Sequence, residues 1–284
     1  MNKIKLISDS SCDLPDDLLQ KYDIDLLPLY IIMGENSYKD GKEISQEEVF
    51  AWSDANNTTP KTAAPSLQDA MDILNLYVKD YDDIIVINIS SEVSTTYQVM
   101  NIAAREYPNA NIHIIDSRSV SAGVATLVLK AAKMKETGAT AQKIVDTIKA
   151  TVPKVRISFV VDTTTYLYRG GRCSALESFG AGFLHIKPEL VVKDGEIIPG
   201  NKFRGKLDKV LMQYVTKMHD QLETADPSHV FITYSSADPQ TVQEIKNYLE
   251  SFNRFEQIIC SYASCVISSH CGPGTLGVIF IKGE

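Results

Sequence analysis

Residues 85–98 read Ile-Val-Ile-Asn-Ile-Ser-Ser-Glu-Val-Ser-Thr-Thr-Tyr-Gln. The β-branched run that opens this stretch has the character of a buried strand, and the hydroxyl-rich turn after it leads into a helical stretch over 95–106. Strand, polar turn and helix in that order are the repeating unit of a parallel sheet with crossover helices.

The same alternation extends to both sides. Strands are predicted at 4–8, 84–89 and 112–115, and helices at 65–79, 95–106, 120–135 and 141–151, with Gly138 breaking the last two apart. Pro65 suits a first helical turn, where its missing N–H is not needed. Residues 26–44 carry turn signals at Gly34-Glu35-Asn36 and Asp40-Gly41 and read as an inserted β-hairpin arm. Ser45 and Glu48 then form a capping box that starts the next helix. Val152-Pro153-Lys154 is the candidate linker. Beyond it come strands at 157–161, 230–234, 258–262 and 277–281, helices at 206–222 and 241–252, and a hairpin over 190–198 turning at Asp194-Gly195. The expected fold is α/β with two domains. Residues 1–153 form a parallel-sheet domain with an inserted β-hairpin, and residues 154–284 form an α/β domain with a mixed sheet.

Composition narrows the function classes. Hydrophobic residues at 44% and charged residues at 23% are ordinary for a globular chain and exclude disorder. A net charge of −8 without a basic stripe argues against a nucleic-acid partner, whose phosphates need clustered Lys and Arg. No apolar run reaches the roughly 18 residues of a bilayer span, and Met1-Asn2-Lys3-Ile4-Lys5 leads into a strand rather than a secretory core, so a cytoplasmic protein is expected. Five cysteines without a CxxC pair suit reduced thiols. Cys260, Cys265, His270 and Cys271 cluster without zinc-site spacing, and no metal is expected.

Four segments carry candidate chemistry. The turn over 90–98 places hydroxyls at a helix start, where unpaired N–H groups attract an anion; Ser94 serves there either as ligand contact or as a plain N-cap. Lys61-Thr62-Ala63-Ala64-Pro65-Ser66 reads as a second polar turn before a helix, with Thr62 as its candidate. Arg169-Gly170-Gly171-Arg172 is either a carboxylate- or phosphate-binding pair or a helix C-cap with solvated arginines. His270, before Gly272-Pro273-Gly274, stands in an irregular backbone where its imidazole donates a hydrogen bond or changes charge near neutral pH. Neither a phosphate-binding loop, a dinucleotide fingerprint, a Gly-x-Ser-x-Gly elbow nor a His-Glu-x-x-His is present.

Taken in order, several segments resemble the DegV family, whose best understood members are the fatty-acid-binding subunits of bacterial fatty acid kinase. They are Ile7-Ser8-Asp9-Ser10-Ser11-Cys12-Asp13-Leu14-Pro15, Tyr38-Lys39-Asp40-Gly41, the Thr62 turn, the segment 90–98 and Asp116-Ser117-Arg118-Ser119. Arg169-Gly170-Gly171-Arg172, Ile186-Lys187-Pro188, Lys202-Phe203-Arg204-Gly205-Lys206 and His270-Cys271-Gly272-Pro273-Gly274 continue the series. The resemblance implies a long-chain fatty acid as ligand, its tail inside the N-terminal domain and its carboxylate at the domain interface. It assigns the carboxylate to Thr62, Ser94 and the adjoining Thr95, with His270 joined through hydrogen bonds. Arg169 and Arg172 are placed near the cleft, for the head group or for docking. It further implies no cofactor and no activity of the chain's own, the carboxyl being presented to a separate ATP-binding kinase subunit that makes the acyl phosphate. Two departures stand out: Ala63 and Ala64 replace the family's polar pair after Thr62, and Thr95 replaces a Gly after Ser94. The alternatives are a hydrolase or acyltransferase using Ser94 and His270, or a binder of another apolar acid.

Overall fold

The computed structural model describes residues 2–172 and 186–283. Its first sheet is parallel, in the order β2 (Ile24–Leu27), β1 (Ile4–Asp9), β6 (Asp83–Asn88), β7 (Asn111–Asp116). β1 and β6 are buried at every residue, which explains why their sequences run apolar with little alternation. Helices α3 (Leu67–Asn75) and α4 (Thr96–Ala104) cover one face through Ala70, Leu74, Met100 and Ala103. On the other face lie α1 (Asp16–Tyr22), α5 (Ala122–Glu136) and α6 (Ala141–Thr151).

The hairpin arm is formed by β3 (Tyr30–Met33) and β4 (Asn36–Lys39), followed by α2 (Gln46–Asn56) on the expected Ser45–Glu48 capping box. Residues 61–63, read from sequence as a turn, are instead a strand, β5 (Lys61–Ala63), antiparallel to β3. The hairpin leaves one edge of β3 open, and an open edge takes up an extended segment. Thr62 pairs with Ile31 and is thereby held in a ladder rather than in a loop.

The second large sheet is mixed, in the order β10 (Glu196–Arg204), β9 (Ile186–Lys193), β8 (Val155–Val160), β13 (Thr275–Lys282), β11 (Ala225–Ser235), β12 (Ile258–Tyr262). α8 (Leu207–Lys217) and α10 (Pro239–Glu250) bury Val210, Tyr214 and Ile245 against one face. The single helix predicted over 206–222 is divided at Met218, beyond which α9 (His219–Glu223) begins. The other face packs on α5, whose cluster joins Ala125 and Val128 to Ile157, Phe231 and Ile279 of this sheet and to Ile85 and Ile87 of the first. α5 is thus a common middle layer. The chain passes from α6 through a 3-10 turn at Val152–Lys154 straight into β8. Two further short helices among the described residues are α7 (Thr165–Gly170) and α11 (Cys265–Cys271).

Candidate functional site

Open α/β sheets gather ligands beyond the carboxyl ends of their strands. Here Ile89 follows β6, Val120 follows β7, and both line a cavity together with Ile157, Phe159 and Ile279 of the mixed sheet. Leu29 of the arm region and Val266 and Ile267 of α11 close further sides. Several wall residues carry hydroxyls, yet each is engaged by the protein. Ser158 Oγ lies 3.0 Å from Tyr214 Oη, Thr233 Oγ1 lies 2.7 Å from Ser261 Oγ, and Thr275 Oγ1 donates to the Cys271 carbonyl at 2.9 Å. The cavity wall therefore presents largely apolar surface, where an unmatched polar group would be costly. The cavity is walled by both halves of the chain, because the face of the mixed sheet supplies Ile157, Phe159 and Ile279.

Three of the candidate residues meet in the same wall, drawn from β5, the turn before α4, and α11: Thr62, Ser94 and His270, with Arg172 beside them. Thr62 Oγ1 and His270 Nε2 are 2.7 Å apart. His270 Nδ1 is buried without a hydrogen-bond partner among the described residues, and it lies against Gly170, where a Cβ would overlap it. Burial, aided by the positive charge of Arg172, pushes the imidazole down to about 3, so the ring stays neutral at neutral pH and does not switch charge there. A neutral ring carries one N–H. On Nδ1 that proton would be a buried donor without an acceptor, whereas on Nε2 it donates to Thr62 Oγ1, and the partners therefore assign it to Nε2. With His270 donating, the Thr62 hydroxyl proton is left for a further acceptor in the cavity.

Ser94 is not the N-cap of α4. Thr95 holds that position without a side-chain cap bond, while Ser94 Oγ accepts the Thr96 N–H at 3.3 Å and lies 2.8 Å from Thr96 Oγ1. When the Thr96 hydroxyl donates to Ser94, the Ser94 proton is also free for a ligand. Thr95 itself is exposed and outside the cavity wall, because α4 starts there with its side chain toward solvent. Arg172 is exposed at the rim and donates to the Gly170 carbonyl at 2.8 Å. Arg169 is exposed and does not line the cavity. Sequence reading missed the apolar wall, including Leu29, Ile197 and Ile267, since these residues share no spacing and meet only in the fold. It also missed Gly170 as the seat of the imidazole.

Cys271 lines the cavity, its thiol pushed up to about 12 by burial, and so remains protonated. Among the described residues, no group of three His, Cys, Asp or Glu could hold a metal ion, and no helix is long and apolar enough to cross a membrane.

Comparison with known proteins agrees with this geometry. Residues 3–283 match the family described as uncharacterised protein, DegV family. A DegV domain-containing protein of Caldanaerobacter subterraneus subsp. tengcongensis is 35% identical over 280 residues, covering 99% of each chain. A fatty acid-binding protein of Thermotoga maritima is 28% identical over 97% of this chain and 96% of its own. Among solved structures, a fatty-acid-binding DegV family protein from Thermus thermophilus superposes with a TM-score of 0.90 at 26% identity, covering 99% of each chain. A stearic-acid-binding protein from Eubacterium ventriosum gives 0.86 at 27% identity, over 99% of this chain and 98% of its own. With its parallel and mixed sheets walling a largely apolar cavity that Thr62 and His270 also line, and with the family match running from residue 3 to 283, the chain belongs to the DegV family.

Proposed function

We propose that the protein holds one long-chain fatty acid in this cavity and presents its carboxyl group to a separate ATP-dependent fatty acid kinase, which converts it to an acyl phosphate. The observation that carries the reading is a largely apolar cavity in whose wall Thr62, Ser94, His270 and Arg172 meet from distant stretches of chain. Burying the tail contributes roughly 0.8 kcal/mol per methylene, ample for tight binding. The carboxylate is the opposing cost and needs donors. Thr62 and Ser94 supply two hydroxyl protons, the first oriented by His270. Relatives named for binding fatty acid support a fatty acid as the ligand.

A nucleophilic Ser94 served by His270 is the weaker reading. His270 Nε2 faces Thr62, Ser94 Oγ is paired with Thr96, and Nδ1 has no orienting carboxylate among the described residues. The arrangement donates hydrogen bonds; it does not relay a proton from a serine.

Presentation requires the head group near an opening, and Arg172 stands exposed on that rim. Arg172→Ala is expected to leave fatty acid loading nearly intact while lowering acyl phosphate formation by added kinase. Equal loss of both would remove Arg172 from docking, and a wild-type protein that loads no fatty acid would overturn the whole reading.

A further inference from the structure

The hydroxyl turn that carries Ser94 is held from outside by the tip of the β9–β10 hairpin. At that tip Asp194 and Gly195 both have positive φ, 51° and 87°, the two-residue turn announced by Asp-Gly. Two side chains from the first half grip it, and one of them is braced by a third residue. Ser90 Oγ donates to the Gly195 carbonyl at 2.8 Å, Arg118 Nη2 donates to the Asp194 carbonyl, and Arg118 Nη1 reaches Glu92 Oε1 at 2.6 Å. Arg118 is itself in the left-handed region, φ 49°, with its backbone N–H on Asp116 Oδ1 at 2.9 Å. The fit leaves no spare room, for a Cβ at Gly195 would lie 2.5 Å from Ser90 Oγ and 3.0 Å from the Arg118 guanidinium.

Those contacts fall on the turn that positions Ser94. The Ser90 carbonyl accepts the N–H groups of Val93 and Ser94, both at 3.2 Å, and Ser90 Oγ also accepts the Glu92 N–H at 3.2 Å. Val93 and Ser94 line the cavity, as does Ile197, two residues beyond the gripped glycine. We propose that Ser90, Arg118 and Gly195 are positioning residues for carboxylate binding: the hairpin tip, docked on Ser90 and Arg118, holds the 90–94 turn so that the Ser94 hydroxyl meets the head group. This rests on the fatty acid reading above and adds to it a recognition element supplied across the two halves of the fold.

The variants Arg118→Ala, at a partly exposed site, and Gly195→Asn separate the effect from simple backbone strain, because Asn tolerates a positive φ while its Cβ still meets Ser90. The probes are cis-parinaric acid and the corresponding alcohol, which share a tail and differ in the head. Each variant is expected to bind the acid roughly tenfold more weakly, the size of a lost hydrogen bond to a charged group, with the alcohol's affinity unchanged. Equal losses for acid and alcohol would reduce the hairpin to a tail wall and overturn the proposal, as would unchanged affinity for both. If wild-type protein binds neither probe, the fatty acid reading itself falls and the latch with it.

Discussion

At the scale of single residues the account turns on two hydroxyls and an imidazole. Thr62→Val keeps the shape of β5 but removes the proton meant for the carboxylate and the acceptor of His270 Nε2. It is expected to weaken fatty acid binding by about 10- to 150-fold, the equivalent of roughly 1.5–3 kcal/mol for a hydrogen bond to a charge. Ser94→Ala is expected to lose a similar factor and, in addition, about 1 kcal/mol of stability in both unloaded and loaded protein, because the Thr96 N–H at the start of α4 loses its acceptor. Calorimetric titration of both variants decides the matter, and unchanged affinity in each would place the carboxylate elsewhere. These residues were legible because each stands in a local sequence with a visible oddity: hydroxyls before a helix, or a histidine before Gly-Pro-Gly. Gly170 was not legible in its role. Its sequence neighbourhood suggests a helix C-cap, and Gly171 does end α7 with φ 65°, but the reason Gly170 bears no side chain is an imidazole 100 residues further along the chain.

At the scale of elements, the helix 141–151 and the strand 258–262 have the predicted bounds, while the helix predicted over 206–222 is divided at Met218 and most periodic segments lie close to their predicted places. The short ones did not. α11, which carries His270, begins with little intrinsic helix preference and is held by two buried carboxylates. Asp13 Oδ1 accepts the Ser264 N–H at 2.8 Å across 251 residues of sequence, and Asp40 Oδ1 accepts the Cys265 N–H at 3.0 Å. Such anchors have no local signature. They also make stability depend on pH, since burial raises Asp13 to about 8 and Asp40 to about 6. A carboxyl raised in the folded state binds its proton more tightly there than when unfolded, so its contribution is full below the unfolded value near 3.9 and is lost as pH rises through the folded value, about 6 for Asp40 and about 8 for Asp13. His229 acts with the opposite slope: burial lowers it to about 4, so its contribution is full above about 6.5 and is lost as pH falls through 4. The melting temperature is therefore expected to fall between pH 6.5 and 8.5, less steeply in Asp13→Asn, while His229→Gln flattens the acid limb below pH 6.5. Melting curves of Asp13→Asn that run parallel to wild type would show that Asp13 does not titrate in this window.

At the scale of the whole molecule, the α/β class, the parallel first sheet and the mixed second sheet were all readable from periodicity, and the change at Val152–Lys154 marks where one sheet gives way to the other. What periodicity does not reveal is that α5 packs on both sheets at once, so that Ile85 and Ile279 belong to one core cluster. The cavity follows from that shared layer: neither sheet alone encloses it, and Thr62, Ser94 and His270 come together only when both are in place. A ligand held between the halves, with most of its surface against apolar walls, should dissociate slowly enough to survive purification. The most direct measurement is denaturing extraction of the purified protein, with mass spectrometry to identify the released lipid and to count it per chain. The account predicts close to one long-chain fatty acid per protein molecule, or, for protein stripped of lipid, a melting temperature that rises when fatty acid is restored. Extracts without fatty acid, together with a melting temperature that added fatty acid leaves unchanged, would contradict it.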